Sequence, residues 1–416
     1  MKISFYTLGC KLNWAETEEL KKDLGKLGYS VVPYDTEEDI CIIRGCGVTC
    51  SASQKTRNII RHSKRQGAYV VVIGCVEDKN LAEIDFVAKD KCNLIDHLKK
   101  EFVSNSINSH QISDDIVERT RAFIKIQTGC NFNCAYCIIP SFRGKNQSIS
   151  PTQIIKKINQ AVADGYKEVV LTGVNICQYS FLPISKGEVR RGFLDLSDLL
   201  KLILNKTEIE RIRLGSLDPR LISRKLINLY SQSLNLSIIK SFNRLLPHWH
   251  LSLQSGSDTV LKRMNRNYTA KKYLDVVKKL RKTYPPFSFT TDIIVGFPGE
   301  TDKEFDQTCD FVKAVEFSKV HVFPFSARPK TVAANMPDQT NDKIKTARAK
   351  KLTTIANKIG QDFANKFIGL ERPVLTENKN LGYTPEFIKI KLNPKKDLPN
   401  EIRQIKISKQ NLANII

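Results

Sequence analysis

Short apolar runs alternate with amphipathic stretches over the first hundred residues of the chain. KISFYTLGC (2–10), ICIIRGC (40–46) and AYVVVIGC (68–75) have the length and apolar content of buried strands. WAETEELKKDLGKLGY (14–29) and QKTRNIIRHSKRQ (54–66) lie between them and place apolar residues at helical spacing. Strands separated by helices predict a parallel sheet, so we expect an α/β domain over residues 1–110.

The pattern weakens before residue 120. LAEIDFVAKDKCNLIDHLKKEF (81–102) indicates a short strand and a helix, whereas SNSINSHQISDD (104–115) is mostly polar. A polar segment of this kind has little to bury, so we expect a linker there.

A longer series of strands and helices is predicted over residues 116–345. PTQIIKKINQAVADG (151–165) and TAKKYLDVVKKLRK (269–282) are two of its helical stretches. Six strand–helix units over this length favour a partial (β/α)6 barrel, whose functional groups lie at the carboxyl ends of the strands. The six predicted strands are 122–127, 168–173, 211–216, 248–253, 289–296 and 319–325.

The last part of the chain, residues 346–416, has a different pattern. A basic helical stretch runs to about residue 369, and RPVLTENKNLGYTPEFIKIKLN (372–393) and EIRQIKISKQ (401–410) then alternate with period two. This pattern predicts a small antiparallel β unit after a helix.

The chain is strongly basic, with 66 lysine and arginine residues against 43 aspartate and glutamate residues, a net charge of +23. An excess of this size attracts polyanions, and RNA is the commonest polyanion of a cytosol. Exposed lysines that contact nothing are the alternative explanation. No apolar run approaches the ~20 residues that span a bilayer, and no secretory signal is present, so we expect a cytoplasmic protein without a membrane partner.

Eleven cysteines in a reducing compartment favour metal-bound or reactive thiols over disulfides. Cys10, Cys46 and Cys75 each follow a glycine at the predicted carboxyl end of a strand, so a parallel sheet would bring them to one edge. Burial in the core is the alternative for these three. Four other cysteines lack this placement and are assigned to packing: Cys41, Cys92, Cys177 and Cys309. Cys50, just past the cysteine of the second strand, is the alternative candidate for the set.

GCNFNCAYC (129–137) places Cys130, Cys134 and Cys137 three and two residues apart, directly after the first barrel strand. Thiolates hold iron–sulfur clusters, and three of them leave one iron of a cubane open for catalysis. Zinc is the alternative, but zinc motifs usually contain a second cysteine pair nearby, and the sequence has none here.

We find no convincing Ser/His/Asp or paired-carboxylate arrangement, so no catalytic side chain is predicted beyond the cluster ligands. His248 and His250 alternate on one predicted strand, and hydrogen-bonded core histidines are the favoured interpretation.

Six motifs occur in order over roughly residues 1–345: TLGCKLN (7–13), GCNFNCAYCIIP (129–140), LTGVNI (171–176), LSLQSGSDTVLKRMNR (251–266), DIIVGFPGET (292–301) and HVFPFS (321–326). Together with the strand-end cysteines they resemble the radical S-adenosylmethionine methylthiotransferase family. The resemblance implies two [4Fe–4S] clusters, one on Cys10, Cys46 and Cys75 and one on the cysteines of the 129–137 loop. It also implies S-adenosylmethionine as the source of a radical and of a methyl group.

The resemblance also assigns residues around the barrel mouth. Asp292 is either a lining residue or a group that orients one, and a plain turn glycine is the alternative for Gly173 and for Gly296. Arg143 and Lys145, beside the cluster loop, are expected to contact tRNA phosphates, with a solvated basic loop as the alternative. The residues expected to contact S-adenosylmethionine are Tyr136, Thr172, Gly173, Asn175, Gln254, Ser255 and Gly296.

TLGCKLNWAETE and CIIPSFRGKNQS are most similar to the branch that acts on N6-threonylcarbamoyladenosine next to the tRNA anticodon. Action on isopentenyladenosine in tRNA or on an aspartate of a ribosomal protein is the near alternative. A basic RNA-binding protein with a degenerate amino-terminal cluster site is the non-enzymatic alternative.

The same resemblance implies an electron donor of the flavodoxin or ferredoxin type, and a sulfur donor that it does not identify. It also implies that residues 346–416 are a shortened TRAM-like RNA-binding unit. Two residues depart from the family pattern beside the amino-terminal cysteines: Arg44-Gly45 replaces Asn-Thr, and Trp14 replaces glutamine.

Overall fold

The computed structural model describes residues 1–77, 80–102, 120–182, 184–185, 188–189, 193–234, 244–378, 380–393 and 398–413. The chain forms two compact units. The first is built from residues within 1–118, 137–144 and 326–331, and the second from the remainder. The predicted polar linker at 104–115 lies outside the described residues, so the expected domain boundaries stay predictions. No helix of the described ranges is long and apolar enough to cross a bilayer.

The first unit is a five-stranded sheet in the order β2-β1-β3-β4-β5, and every neighbouring pair is parallel. β3 and β4 are apolar on both faces because buried clusters cover both sides of the sheet. The elements of this unit are β1 (Lys2–Thr7), α1 (Lys11–Lys26), β2 (Ser30–Val31), β3 (Ile40–Cys46), α2 (Cys50–Arg65), β4 (Tyr69–Cys75), β5 (Phe86–Val87), α3 (Lys91–Phe102) and α4 (Ile139–Arg143).

The second unit contains the predicted partial barrel. Three parallel strands in the order β14-β9-β6 and four in the order β15-β16-β17-β18 follow one another around it. Leu246 N donates to Ile212 O at 3.0 Å and joins the two sheets, which leaves β6 and β18 as the edge strands. One large apolar cluster fills the space between the strands and the surrounding helices.

The barrel strands start and end within two residues of the predicted ones, except that the third is divided into β14 and β15. The elements are β6 (Arg121–Lys125), β7 (Gln127–Thr128), β8 (Gln147–Ser148), α5 (Pro151–Ala163), β9 (Glu168–Thr172), β10 (Ser180–Phe181), β11 (Ile184–Ser185), β12 (Glu188–Val189), β13 (Leu194–Asp195), α6 (Leu196–Lys206), β14 (Arg211–Leu214), β15 (Ser216–Leu217), α7 (Arg224–Leu234), β16 (His248–Leu251), α8 (Asp258–Arg263), α9 (Ala270–Thr283), β17 (Ser288–Val295), α10 (Asp302–Val315) and β18 (Lys319–Pro324).

The carboxyl-terminal part of the second unit is a helix and a four-stranded antiparallel sheet, as predicted. The sheet has the order β21-β20-β19-β22 and packs its apolar face on the end of the helix. The elements are α11 (Asp342–Asn365), β19 (Glu371–Glu377), β20 (Leu381–Tyr383), β21 (Lys389–Lys391) and β22 (Ile402–Lys406).

Candidate functional site

Cys10, Cys46 and Cys75 lie together at the carboxyl edge of the parallel sheet in the first unit. Cys46 and Cys75 end their strands and are register partners. Burial raises the pKa of the Cys46 thiol, and the neighbouring thiols of Cys10 and Cys75 raise it further. The prediction that all three end a strand is wrong for Cys10, because β1 stops at Thr7.

A glycine turn carries Cys10 back to the other two thiols. Gly9 has φ +95°, and a Cβ at this position would stand 3.0 Å from Sγ of Cys46. A left-handed backbone and a close approach to sulfur together require glycine here. The amino-terminal helix α1 then begins at Lys11, so Cys10 lies at its N-cap.

Arg143 is the principal charged partner of these thiols. Its Nε donates to Sγ of Cys75 at 3.2 Å, and its Nη groups donate to Glu16 at 3.0 Å and to Asn13 Oδ1 at 2.6 Å. Burial alone would lower the pKa of Arg143, but Glu16 and the Cys75 thiol raise it above its ordinary value. The side chain is 9% exposed. This geometry favours a role for Arg143 beside the Cys75 sulfur over the phosphate contact expected from the sequence. Lys145, the other residue expected to contact phosphate, is exposed.

The departures from the family pattern are accommodated in the same polar network. Arg44 Nη1 donates to Glu16 Oε2 at 2.9 Å and its Nε donates to Thr17 at 3.2 Å. Glu16 therefore binds two arginines. Gly45 is required by packing, since a Cβ there would lie 2.4 Å from Val76 Cγ2.

Cys50 lies at the amino end of α2 and is exposed, outside the trio. Ser326 Oγ and Arg328 Nη1 donate to its Sγ at 3.1 Å and 3.2 Å. Arg328 also donates to Ser53 Oγ at 2.9 Å and pairs with Glu77. Cys50 is thus fixed by its own contacts rather than by packing in the core.

The 129–137 loop follows β6 and β7 at the barrel mouth, where polar side chains approach two of its sulfurs. Gln178 Nε2 donates to Sγ of Cys130 at 3.5 Å, and Arg220 Nη2 donates to Sγ of Cys134 at 3.5 Å. Arg266 Nη1 stands 3.9 Å from Sγ of Cys134. Thiolate charge at this loop is therefore met by two guanidinium groups.

Asp218 fixes those two guanidinium groups. Its carboxylate accepts from Arg220 at 2.6 Å and from Arg266 at 3.1 Å. Burial raises the pKa of Asp218, but the hydrogen bond from Arg220 and the charge of Arg266 outweigh burial and hold that pKa below its usual value. Arg220 also lies over the Phe132 ring, 3.5 Å from its centre. The pair of arginines leaves a net positive charge beside the cluster loop.

Gln127 organises the start of the same loop. Its Nε2 donates to Gly129 O at 2.5 Å and to Asn146 Oδ1 at 2.7 Å, and its Oε1 accepts from Asn175 N at 3.0 Å. A Cβ on Gly173 would lie 2.6 Å from that Oε1, so the glycine is required by this contact. Thr172 and Asn175 are buried around it.

Of the other residues expected to contact S-adenosylmethionine, Tyr136 is partly exposed to solvent, whereas Ser255 and Gly296 are packed against neighbouring side chains. Tyr136 is half-buried against an apolar cluster. Gln254 has φ +73°, a strained backbone for a residue other than glycine. Ser255 is fully buried against Thr308, and a Cβ on Gly296 would lie 2.4 Å from Lys345 Cγ. Ser255 and Gly296 thus serve packing in this conformation.

The two histidines of β16 are hydrogen bonded inside the barrel, as the sequence favoured. His248 Nε2 lies 3.1 Å from Thr290 Oγ1. His250 Nδ1 lies 3.0 Å from the same hydroxyl, and its Nε2 lies 3.2 Å from Asp292 Oδ2. Asp292 thus contacts His250, and the orienting role considered for it stays a prediction.

Sequence reasoning did not identify several polar residues that surround the cluster loop. A usable signal existed for Asp218 and Arg220, because SLDPR directly follows the third predicted barrel strand. Arg266 is the last residue of the motif at 251–266, but the sequence suggested no role for it. The residues missed are Gln127, Gln178, Asp218, Arg220 and Arg266.

Each cysteine set offers the three thiols that an iron–sulfur cluster with one open iron would bind. Within the described part of the chain, no three His, Cys, Asp or Glu side chains are grouped closely enough to hold one metal ion. A [4Fe–4S] cluster places its own irons and sulfides between the thiolates, so its ligands stand farther apart than those of a single ion. The guanidinium groups of Arg143 and Arg220 supply the hydrogen bonds to sulfur that such clusters usually receive.

Comparison with known proteins agrees with this chemistry. The radical SAM superfamily profile matches residues 124–312, and that of the uncharacterized protein family UPF0004 matches residues 2–95. The chain is 34% identical to the threonylcarbamoyladenosine tRNA methylthiotransferase MtaB of Bacillus subtilis, over 98% of this chain and 94% of that protein. It is 33% identical to the tRNA-2-methylthio-N(6)-dimethylallyladenosine synthase of Thermoanaerobacter pseudethanolicus, over 89% of this chain and 81% of that protein.

A solved structure shares the fold. The radical S-adenosylmethionine methyltransferase TsrM from Kitasatospora setae, determined with cobalamin and a [4Fe–4S] cluster, has a TM-score of 0.55 at 12% identity. The match covers 80% of this chain and 77% of that one. The chain also shares about a third of its residues with methylthiotransferases over most of their length. We conclude that it belongs to the radical S-adenosylmethionine methylthiotransferase family.

Proposed function

We propose that this enzyme adds a methylthio group at C2 of N6-threonylcarbamoyladenosine next to the anticodon of tRNA. The observation that carries the proposal is the presence of two complete cysteine trios in a chain that aligns with MtaB over 98% of its length. The alignment with the dimethylallyladenosine synthase is shorter, and covers 89% of this chain and 81% of the synthase. The threonylcarbamoyl branch is therefore favoured over the isopentenyl branch.

Each trio has a proposed role. Cys130, Cys134 and Cys137 hold the cluster that binds S-adenosylmethionine, and the amino-terminal trio holds the auxiliary cluster. When bound, these groups supply the radical, methyl and sulfur chemistry that ordinary side chains lack. An unactivated C–H bond is beyond acid–base catalysis, which accounts for a site built from thiols and their partners.

The chain's own polar residues position the reactants. Arg220 and Arg266, held by Asp218, present a fixed positive charge beside Cys134 that suits the carboxylate of S-adenosylmethionine. Gln127 holds the loop in shape through Gly129 and Asn175. Arg143 neutralises the thiolate of Cys75 in the other trio.

The substrate and partners follow from charge and chemistry. A net charge of +23 favours a polyanion such as tRNA, and Lys145 is exposed after the cluster loop, where a phosphate contact is proposed. The radical chemistry consumes electrons, and we assign their supply to a flavodoxin- or ferredoxin-like protein. The cytoplasm, where tRNA is modified, is the proposed location.

Nucleoside mass spectrometry of tRNA from cells with and without the gene tests the proposal. We expect 2-methylthio-N6-threonylcarbamoyladenosine to be absent without the gene and restored by the wild-type chain but not by Cys75→Ser. Cys92→Ser removes an exposed thiol of α3 and should restore the nucleoside. A change confined to methylthio-isopentenyladenosine would assign the enzyme to the other tRNA branch. Unchanged methylthio-nucleosides would favour the RNA-binding alternative or the ribosomal-protein substrate.

A further inference from the structure

The first unit holds a largely buried group of three charged side chains beside the amino-terminal trio. Arg44 on β3 and Arg143 on α4 both donate to Glu16 on α1, at 2.9 Å from Arg44 Nη1 to Oε2 and at 3.0 Å from Arg143 Nη1 to Oε1. The side chains of Arg44 and Arg143 are 6% and 9% exposed. One carboxylate thus serves two guanidinium groups, and this charged triad carries more positive than negative charge.

Arg143 connects the charged triad to the thiols. Its Nε donates to Sγ of Cys75 at 3.2 Å, and its Nη2 is fixed by Asn13 Oδ1 at 2.6 Å. Because Glu16 is shared with Arg44, its single negative charge cannot neutralise both guanidinium groups. Positive charge therefore remains at the sulfur of Cys75.

Arg44 lies against the strand end that carries Cys75. A Cβ on Gly74 would stand 3.3 Å from Cγ of Arg44, so the glycine leaves room for the stem of the arginine. At the other end of the side chain, Nε donates to Thr17 Oγ1 at 3.2 Å. The guanidinium of Arg44 is thus held in one place by contacts on α1 and β4.

Other cations near the trio are less deeply placed. Lys11 follows Cys10 in the sequence, and Arg57 lines a small pocket together with Cys46. Lys11 and Arg57 are half-buried, whereas Arg44 is buried. Water and salt screen a buried charge much less than an exposed one, so the charge of Arg44 acts more strongly on its surroundings.

A positive charge at this place matters because of what the trio would hold. A [4Fe–4S] core in its oxidised 2+ state with three thiolates carries one net negative charge, and reduction adds a second. Net charge and hydrogen bonds to the sulfurs are among the factors that set the reduction potential of such clusters. A fixed positive charge beside the thiolates favours the reduced form.

We propose that Arg44 is a positioning residue that, together with Glu16 and Arg143, raises the reduction potential of the auxiliary cluster. The inference rests on the proposed function, in which the amino-terminal trio holds that cluster. Arg44 stands where the family pattern has asparagine, so the added charge is a property of this chain.

A redox titration of the auxiliary cluster alone tests the assignment. The parent protein carries alanine in place of the three cysteines of the 129–137 loop, and the reduced cluster is followed by electron paramagnetic resonance. Arg44→Gln should lower the equilibrium constant for reduction by about tenfold, which is about 59 mV for a one-electron couple. Arg44→Lys keeps the charge and should keep the potential close to that of the parent.

Glu16→Gln is the matched variant of opposite sign. It removes the negative charge of the triad and should raise the potential by a similar amount, whereas a purely structural disturbance would not shift the two variants in opposite directions. Arg65→Gln is the control, because Arg65 is exposed at the far end of α2, about 22 Å along the helix axis from Cys50. Its potential should equal that of the parent.

The two proposals fail in different ways. A parent protein that binds no cluster would overturn the auxiliary site and with it the proposed function. A parent that binds one, with potentials that are unchanged or shifted in the same direction in Arg44→Gln and Glu16→Gln, would overturn only the role of Arg44. If Arg44→Gln fails to hold iron, Glu16→Gln decides: a raised potential supports the inference, and any other result overturns it.

Discussion

Arg143 lies beside the amino-terminal trio, a position that its place in the sequence does not indicate. It stands six residues after Cys137 in the chain, yet its guanidinium contacts Cys75, Glu16 and Asn13. One side chain thus connects the segment after the barrel loop with the auxiliary thiols, and both segments belong to the first unit. Hydrogen bonds to ligand sulfurs tune the potential and retention of iron–sulfur clusters.

Replacing Arg143 with glutamine should weaken the auxiliary cluster. The variant loses the positive charge beside Cys75, and substitutions of residues that support metal ligands typically lower metal affinity by about 10- to 100-fold. The measurement is iron retained at that site against a chelator, in protein whose 129–137 cysteines are replaced by alanine. Lys145→Gln, which removes an exposed charge two residues away, should retain iron as well as the parent protein. Equal retention in the two variants would contradict the role of Arg143.

The cysteine ligands could be identified from sequence because spacing and strand-end position are local properties. The partners of their sulfurs could not. Arg143 and Cys75 are separated by 68 positions and Arg220 and Cys134 by 86 positions, so only the folded chain brings them together. The phosphate role predicted for Arg143 rested on its position beside the cluster loop, whereas in the fold its guanidinium contacts Glu16 and Asn13.

The amino ends of the first barrel strands hold a buried charge cluster that anchors the carboxyl-terminal sheet. Glu168 is fully buried and accepts from Arg211 at 2.8 Å and from Arg213 at 2.7 Å. The same arginines donate to the carbonyl oxygens of Pro373 at 3.2 Å and Pro385 at 3.1 Å. The cluster therefore joins β9 and β14 to β19, which contains Pro373, and to the segment after β20, which contains Pro385.

Glu168→Gln should destabilise the second unit. The substitution leaves two arginines buried with reduced compensation, and removal of one partner from a buried ion pair costs about 3–5 kcal/mol. Glu210→Gln is the matched control, because Glu210 pairs with Lys167 at the surface, with side chains 52% and 42% exposed. That change should cost less than about 1 kcal/mol. Chemical unfolding monitored for both variants measures the difference, and equal losses would contradict the anchoring role.

The pH dependence of the same pair has a defined sign. Burial raises the pKa of Glu168, but Arg213 and Arg211 outweigh burial and lower it from 4.5 to about 2. A carboxyl whose folded pKa lies below its unfolded value contributes stability above the unfolded pKa and loses it as pH falls toward the folded pKa. The stability difference between wild type and Glu168→Gln should therefore shrink from about pH 5 to about pH 3. A difference that is constant over this window would contradict the charge pairing.

Element positions were predictable to the extent that they follow apolar periodicity. Apolar runs of strand length located β3 and β4, which are buried on both faces, and the alternation of such runs with helical stretches located the barrel strands. The division of the third barrel strand into β14 and β15 and the early end of β1 were not predicted. Both depend on tertiary contacts, such as the turn at Gly9 against the Cys46 sulfur, that leave no periodic signal.

The molecule as a whole carries a net charge of +23, and the carboxyl-terminal sheet presents part of it. Lys389 and Lys391 flank the buried Ile390 on β21, and Lys406 is exposed at the end of β22. Exposed lysines on a small antiparallel sheet are expected of an RNA-binding surface.

Replacing Lys389, Lys391 and Lys406 with glutamine should weaken tRNA binding and flatten its salt dependence. Each phosphate contact contributes a slope of roughly −0.7 to −0.9 in a plot of log affinity against log salt. A triple variant of exposed helix lysines, Lys156, Lys201 and Lys206, removes the same net charge and should keep the wild-type slope. The measurement that distinguishes the two triple variants is their affinity for tRNA across a salt series. Identical slopes for both variants would exclude the sheet from the RNA contact.

Iron content tests the two-cluster site most directly. Anaerobically reconstituted wild-type protein should hold about eight irons per chain, that is, two [4Fe–4S] clusters. Replacing Cys10, Cys46 and Cys75 with alanine, or the three cysteines of the 129–137 loop, should leave about four irons in each variant. A wild-type chain with about four irons, unchanged by loss of the amino-terminal trio, would contradict the auxiliary cluster and the sulfur chemistry assigned to it.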